Sequence, residues 1–132
     1  MIIFSMLVRI SWDHSSLEPR WKPCNEFLLV RGDPSVADMY NEMVPSSTDP
    51  TFLAAANRAV YDAMNAVDPQ ATYVMQAWLF HDPFWTADRV EAYLSDVPND
   101  WMLILDLNSE QTPLWQQYDS YFKKPWVWCV AK

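Results

Sequence analysis

Three nearly uninterrupted apolar runs, over 72–80, 101–107 and Trp126–Val130, constrain the fold more than any other feature. A half-solvated strand alternates apolar and polar residues, whereas these runs do not, which suits strands of a sheet covered on both faces. Segments of helical period precede the first run and separate it from the second. Leu53, Ala56, Val60, Met64 and Val67 fall on one face of a helix over 51–67. Val90, Tyr93 or Leu94, and Val97 do the same over about 87–96. The first helix carries its own boundaries: Asp49-Pro50 reads as an N-cap followed by proline at the first helical position, and Asp68-Pro69 closes it. Thr86 or Asp88 can cap the second.

A further short strand fits 36–40, stopping at Asn41-Glu42 before a turn-rich loop from Pro45 to Pro50. The stretch 114–122 is rich in aromatics and reads as ambiguous, leaning to helix. The order is then strand, helix, strand, helix, strand, connector, strand, which predicts right-handed crossovers and a parallel sheet. Residues 1–35 are less legible. The apolar start, 2–10, reads as one strand; it has no basic residue before it and is too short for a membrane span. Pro19 and Pro23 break any helix nearby, and Arg31-Gly32-Asp33 reads as a plain turn.

Composition removes several function classes. With 17 acidic against 9 basic residues the net charge is −8, which argues against a nucleic-acid backbone as partner. Two histidines, His14 and His81, supply poorly any histidine metal site or Ser-His triad. Cys24 and Cys129 could pair or both remain thiols, and no metal-ligand spacing appears. His81-Asp82 reads as a polar loop and Lys123-Lys124 as a solvated turn.

Parallel strands deliver their carboxyl ends to one face, so Glu42, Trp78, Asp106 and Cys129 are expected at or near one rim. A carboxyl group beside an indole suits sugar chemistry: the acid protonates a glycosidic oxygen while the indole packs on the apolar face of a ring. By position alone Glu42 is equally a solvated loop glutamate, Asn41 a turn residue and Trp78 a core residue. Asp106 and Glu110 are the in-chain candidates for a second carboxylate.

The string Ala37-Asp38-Met39-Tyr40-Asn41-Glu42-Met43, with Pro45 and Asp49-Pro50 behind it, resembles the signature of the α-N-acetylglucosaminidases of glycoside hydrolase family 89. The likeness continues through Leu53-Ala54-Ala55-Ala56, Ala59-Val60-Tyr61, Gln76-Ala77-Trp78-Leu79-Phe80, Phe84-Trp85, Leu105-Asp106-Leu107 and Trp128-Cys129. It implies an α/β fold, part of a (β/α)8 TIM barrel, with 1–35 a poorly matched segment and 36–132 an incomplete catalytic domain. It implies Glu42 as general acid/base and Asn41, Trp78 and Leu107 as substrate contacts, without cofactor or metal. The partner implied is a glycan ending in α-linked N-acetylglucosamine, such as heparan sulfate, in a lysosomal or secreted setting; neither nucleic acid nor membrane is expected. In this family the nucleophile glutamate lies downstream of the Trp-Cys strand, past a His-Asn-Phe-Gly-Gly segment, whereas this sequence reads Trp128-Cys129-Val130-Ala131-Lys132. The expectations that follow are a chain inactive by itself and one prone to self-association through open sheet edges. The competing expectation is a non-catalytic sugar-binding remnant or a partial gene product.

Overall fold

The computed structural model describes residues 7–10, 21–23, 35–36, 39–40 and 43–130. Its centre is a sheet in which four strands run parallel in chain order: β3 (Ser35–Val36), β4 (Tyr73–Gln76), β5 (Met102–Leu107) and β6 (Trp126–Val130). Helix α1 (Pro50–Val67) connects β3 to β4, and α2 (Ala87–Ser95) connects β4 to β5. Neighbouring parallel strands joined through helices are the arrangement of part of an α/β barrel.

Register assigns each strand residue to a face. Tyr73, Met75, Met102, Ile104 and Trp126 share the face covered by the helices, since Tyr73 pairs with Met102, Met75 with Ile104, and Ile104 with Trp126. Their core includes Leu53 of α1, and Val90, Tyr93 and Leu94 of α2, all within about 1% of complete burial. Leu103, Leu105 and Leu107 lie on the opposite face beside buried Val127 and Cys129 and stay half-buried. That second face is the one a closed barrel turns inward.

Two strands from the first 35 residues extend this sheet. β1 (Leu7–Ile10) pairs antiparallel with β6, and β2 (Trp21–Pro23) pairs antiparallel with β1. β6 therefore has a neighbour on each side, and the sheet ends on β2 and β3.

Helix α1 begins as the sequence predicts: the Asp49 carboxylate accepts the Thr51 N–H at 2.8 Å, with proline in the first turn. Its inward face is shifted from the expected one. Val67, at the last position, is 87% exposed, while Asn57 is buried with Nδ2 donating to the Tyr93 carbonyl at 3.0 Å. The contact with α2 rotates the buried stripe toward a polar residue that has an acceptor waiting for it.

The run over 72–80 is not one strand. It leaves the sheet at Gln76 and winds into a 3-10 turn, Ala77–His81. The aromatic stretch after β5 forms two single turns, α3 (Leu114–Gln117) and α4 (Asp119–Phe122); in α4, Ser120 and Tyr121 have φ of 52° and 56°, a left-handed winding. Lys124, expected in solvent, is buried, and its Nζ donates to the Val97 carbonyl at 2.6 Å and to Asn99 Oδ1 at 2.9 Å. It ties the segment entering β5 to the segment entering β6, at the end of the sheet where barrels hold stabilising contacts.

Candidate functional site

The carboxyl ends of β4, β5 and β6 define the rim on which function is expected. The 3-10 turn places Trp78 there for a geometric reason. With three residues per turn, side chains at i and i+3 eclipse one another. Ala77 and Phe80 form the inward pair, 0% and 1% exposed, and Trp78 and His81 form the other. Trp78 consequently remains 45% exposed, and its ring meets that of His81 edge-on, centroids 5.2 Å apart.

The loop beyond is fixed. The buried Tyr118 hydroxyl lies 2.9 Å from the carbonyls of both Phe80 and Trp85, and Gln117 Nε2 donates to it. The Asp82 carboxylate accepts the Phe84 N–H at 2.8 Å, and Arg89 donates to the Phe84 carbonyl while lying over its ring. Trp78 thus stands on a clamped loop rather than a free one.

Asp106 reaches the same end of the sheet but points the other way. It alternates with Leu105 and Leu107, so its carboxyl enters the helix-covered face, where Oδ2 accepts the Trp115 N–H at 2.9 Å. There it holds the start of α3, whose Trp115 stacks on Trp126 at 5.3 Å. Burial pushes its pKa above the usual carboxylate range, against the pull of the Trp115 N–H. The Tyr121 hydroxyl faces this carboxyl, and burial and the neighbouring acid push its pKa far upward. Neither Asp106 Oδ1 nor the Tyr121 oxygen has a hydrogen bond of sound geometry. Asp106 is therefore unsuited to be a second carboxylate toward the barrel interior, and Glu110 is exposed in the loop after β5.

Leu107 lies on the inner face at the end of β5, paired with Cys129. Trp78 and Leu107 are brought to one end of the sheet. Asn41 and Glu42 lie outside the described residues. The residues on either side of them are anchored: the Tyr40 ring tilts against Trp85 and Tyr93 at 6.1 and 6.3 Å, and Pro45 is buried. The Met43 N–H donates to the Tyr40 carbonyl at 2.7 Å.

Sequence reasoning missed Tyr118, which clamps the loop, and His81, which meets the indole. The spacing of Trp78 and His81 carried the second signal, but only to a reader who took the run as a turn rather than a strand. Among the described residues no group of three or more His, Cys, Asp or Glu is placed to hold a metal ion. Nor, among them, is any helix long and apolar enough to cross a membrane.

Comparison with known proteins bears on the whole stretch. The family model described as "Alpha-N-acetylglucosaminidase (NAGLU) tim-barrel domain" matches residues 33–132. Human alpha-N-acetylglucosaminidase is 45% identical over 96 residues, which are 71% of this chain and 13% of that protein. The chain thus spans a small part of its relative's length.

Proposed function

The chain belongs to the α-N-acetylglucosaminidase family, as part of its TIM-barrel domain, and on that premise we propose that it carries the acid/base portion of a retaining glycoside hydrolase. The substrate is a glycan ending in α-linked N-acetylglucosamine, of the heparan sulfate kind, met in a lysosomal or secreted compartment. The match across residues 33–132 carries this reading, and Trp78 on the rim supports it.

In the proposed mechanism Glu42 first donates a proton to the glycosidic oxygen and then, as its conjugate base, draws one from water. A proton donor working near neutral pH needs its pKa raised by burial or by a neighbouring carboxylate. Asn41 hydrogen-bonds a sugar hydroxyl, the Trp78 indole packs against the apolar face of the ring, and Leu107 lines the floor. Retention requires a second carboxyl roughly 5 Å from the first. The inward faces of β4, β5 and β6 offer none among the described residues. We take the boundary of the catalytic domain to lie near residue 36, with the second carboxylate supplied from outside these three strands.

The test is hydrolysis of p-nitrophenyl α-N-acetylglucosaminide by a polypeptide carrying these residues within a complete barrel. Glu42→Gln should lower kcat by about 10²–10⁴-fold, the usual contribution of a positioned acid. A variant keeping a tenth or more of the activity would remove Glu42 from the mechanism. The exposed Trp78 also suits a second reading, sugar binding without turnover. That reading prevails if the 132-residue chain binds N-acetylglucosamine through Trp78 while the complete barrel is inactive.

A further inference from the structure

A single helical turn does not stand by itself, because fixing its dihedrals costs more than its one hydrogen bond returns. Helix α3 is four residues long and starts without help from its own sequence: Pro113, at the N-cap, makes no side-chain capping bond and has no oxygen with which to make one. The acceptor comes from nine residues earlier. Asp106 Oδ2 takes the Trp115 N–H at 2.9 Å, as a remote cap. The Tyr121 hydroxyl faces the same carboxyl without a hydrogen bond of sound geometry, so the Trp115 contact is the one that holds a neighbouring segment. Asp106 is itself immobile. It is 0% exposed, its place in β5 is set by pairing on both sides, and Ser109 Oγ donates to its carbonyl at 2.5 Å.

What α3 carries is Tyr118. The Tyr118 N–H donates to the Leu114 carbonyl at 2.9 Å, which places the residue at the end of the turn, and its hydroxyl lies 2.9 Å from the carbonyls of Phe80 and Trp85. Those carbonyls bracket the chain just beyond Trp78, while β4 fixes the chain just before it. The Trp78 side chain is 45% exposed, so the backbone of this turn, more than packing, aims its ring.

We propose that Asp106 is a positioning residue for Trp78, acting through the start of α3 and the Tyr118 hydroxyl at its end. The inference rests on the reading of Trp78 as a sugar platform, which needs one ring orientation because freedom surrendered on binding subtracts from affinity. The placement of the ring can nevertheless be tested without a sugar. Asp106, turned away from the barrel interior, reaches the rim through hydrogen bonds on the helix-covered side. The competing support for α3 is the stack of Trp115 on Trp126 at 5.3 Å, and the experiment separates the two.

The experiment labels the 132-residue chain with 5-fluorotryptophan and records its fluorine spectrum, using Trp78→Phe to identify one line among the eight tryptophans. In Tyr118→Phe and in Asp106→Ala the Trp78 line should narrow and move in the same direction, toward its position in the unfolded chain. Asp106→Asn, whose amide oxygen still accepts the Trp115 N–H, should return it most of the way. The double variant Asp106→Ala/Tyr118→Phe should move it no further than the larger single change, since both act along one path. Trp101, at the opposite end of β5, should keep its line throughout, whereas a general loss of structure would move both. A Trp78 line unmoved in Asp106→Ala, unrestored in Asp106→Asn, or displaced by the sum of the two changes in the double variant overturns the proposal. Should Asp106→Ala not fold, hydrogen exchange in the wild-type chain decides: first-turn amides ordinarily lack an intrahelical partner, yet the Trp115 amide should exchange slowly, and exchange at the unprotected rate overturns the proposal. A parallel titration with p-nitrophenyl α-N-acetylglucosaminide should show each single variant, Asp106→Ala and Tyr118→Phe, binding about 3–10-fold more weakly, the effect of releasing one ordered side chain. If the wild-type chain and Trp78→Ala both fail to bind, the platform reading fails, while the fluorine lines still decide whether Asp106 positions the ring.

Discussion

Two buried tyrosines three residues apart provide a controlled test of how the loop bearing Trp78 is held. Tyr118 and Tyr121 are each 0% exposed, and replacement by phenylalanine removes one oxygen from each. The surroundings of that oxygen differ. At Tyr118 it lies 2.9 Å from the carbonyls of Phe80 and Trp85, and its single proton satisfies one of them. Tyr118→Phe strands that carbonyl in a dry interior, at a cost of about 1–3 kcal/mol. The Gln117 amide also loses an acceptor, but that side chain is exposed and water replaces the bond. At Tyr121 the hydroxyl faces the Asp106 carboxyl without a hydrogen bond of sound geometry and is desolvated against it. Tyr121→Phe should therefore be neutral within about 0.5 kcal/mol, or stabilising by up to about 1 kcal/mol. Urea denaturation at 25 °C, followed by tryptophan fluorescence and far-UV circular dichroism, measures both, provided the transitions coincide and the slopes agree. For a chain of this length the Tyr118 variant should lose roughly 3–15 °C in Tm. A cost for Tyr121→Phe equal to that for Tyr118→Phe would mean that the Tyr121 hydroxyl bonds Asp106. A Tyr118→Phe variant within about 0.3 kcal/mol of wild type would refute the clamp.

Leu53→Ala, a truncation at the fully buried position of α1, should cost roughly 2–5 kcal/mol by the same melts, far more than Val67→Ala at the exposed end of the helix. Because burial raises the folded-state pKa of Asp106 above its unfolded value of about 3.9, the folded state binds that proton more tightly, so its contribution is favourable in acid and is lost as pH rises through the folded pKa. The stability of Asp106→Asn relative to wild type should therefore improve with rising pH across that window; a constant difference would count against the shift. The uncovered face of Leu103, Leu105 and Leu107 should drive self-association. Sedimentation should show Leu105→Lys more monomeric than wild type, and an identical distribution would remove this face as the interface.

Much of the architecture was legible because it depends on local pattern. Apolar runs without alternation, helical spacing from Leu53 to Met64, and the Asp49-Pro50 start specify elements through backbone geometry and burial alone. The string around Asn41-Glu42 and the later apolar motifs pointed to the family for the same reason: they are contiguous. Errors arose where one residue type suits two geometries. The run from Thr72 to Phe80 is as apolar as a strand, and only its covering by Tyr118, Trp85 and Tyr93 shows that it turns after Gln76.

What the sequence by itself determined is the alternation of elements, the limits of α1 and α2, the acidic character and the family. Tertiary structure alone decided which way each rim residue points. Asp106 and Leu107 are adjacent in the chain, yet the pleat sends one beneath the helices and the other to the inner face. Register with β4 and β6 fixes which is which. It likewise buried Lys124 by placing two strand-entry segments around its ammonium, and exposed Trp78 by eclipsing it with His81. These outcomes depend on partners far away in sequence, and a residue's type carries no record of them.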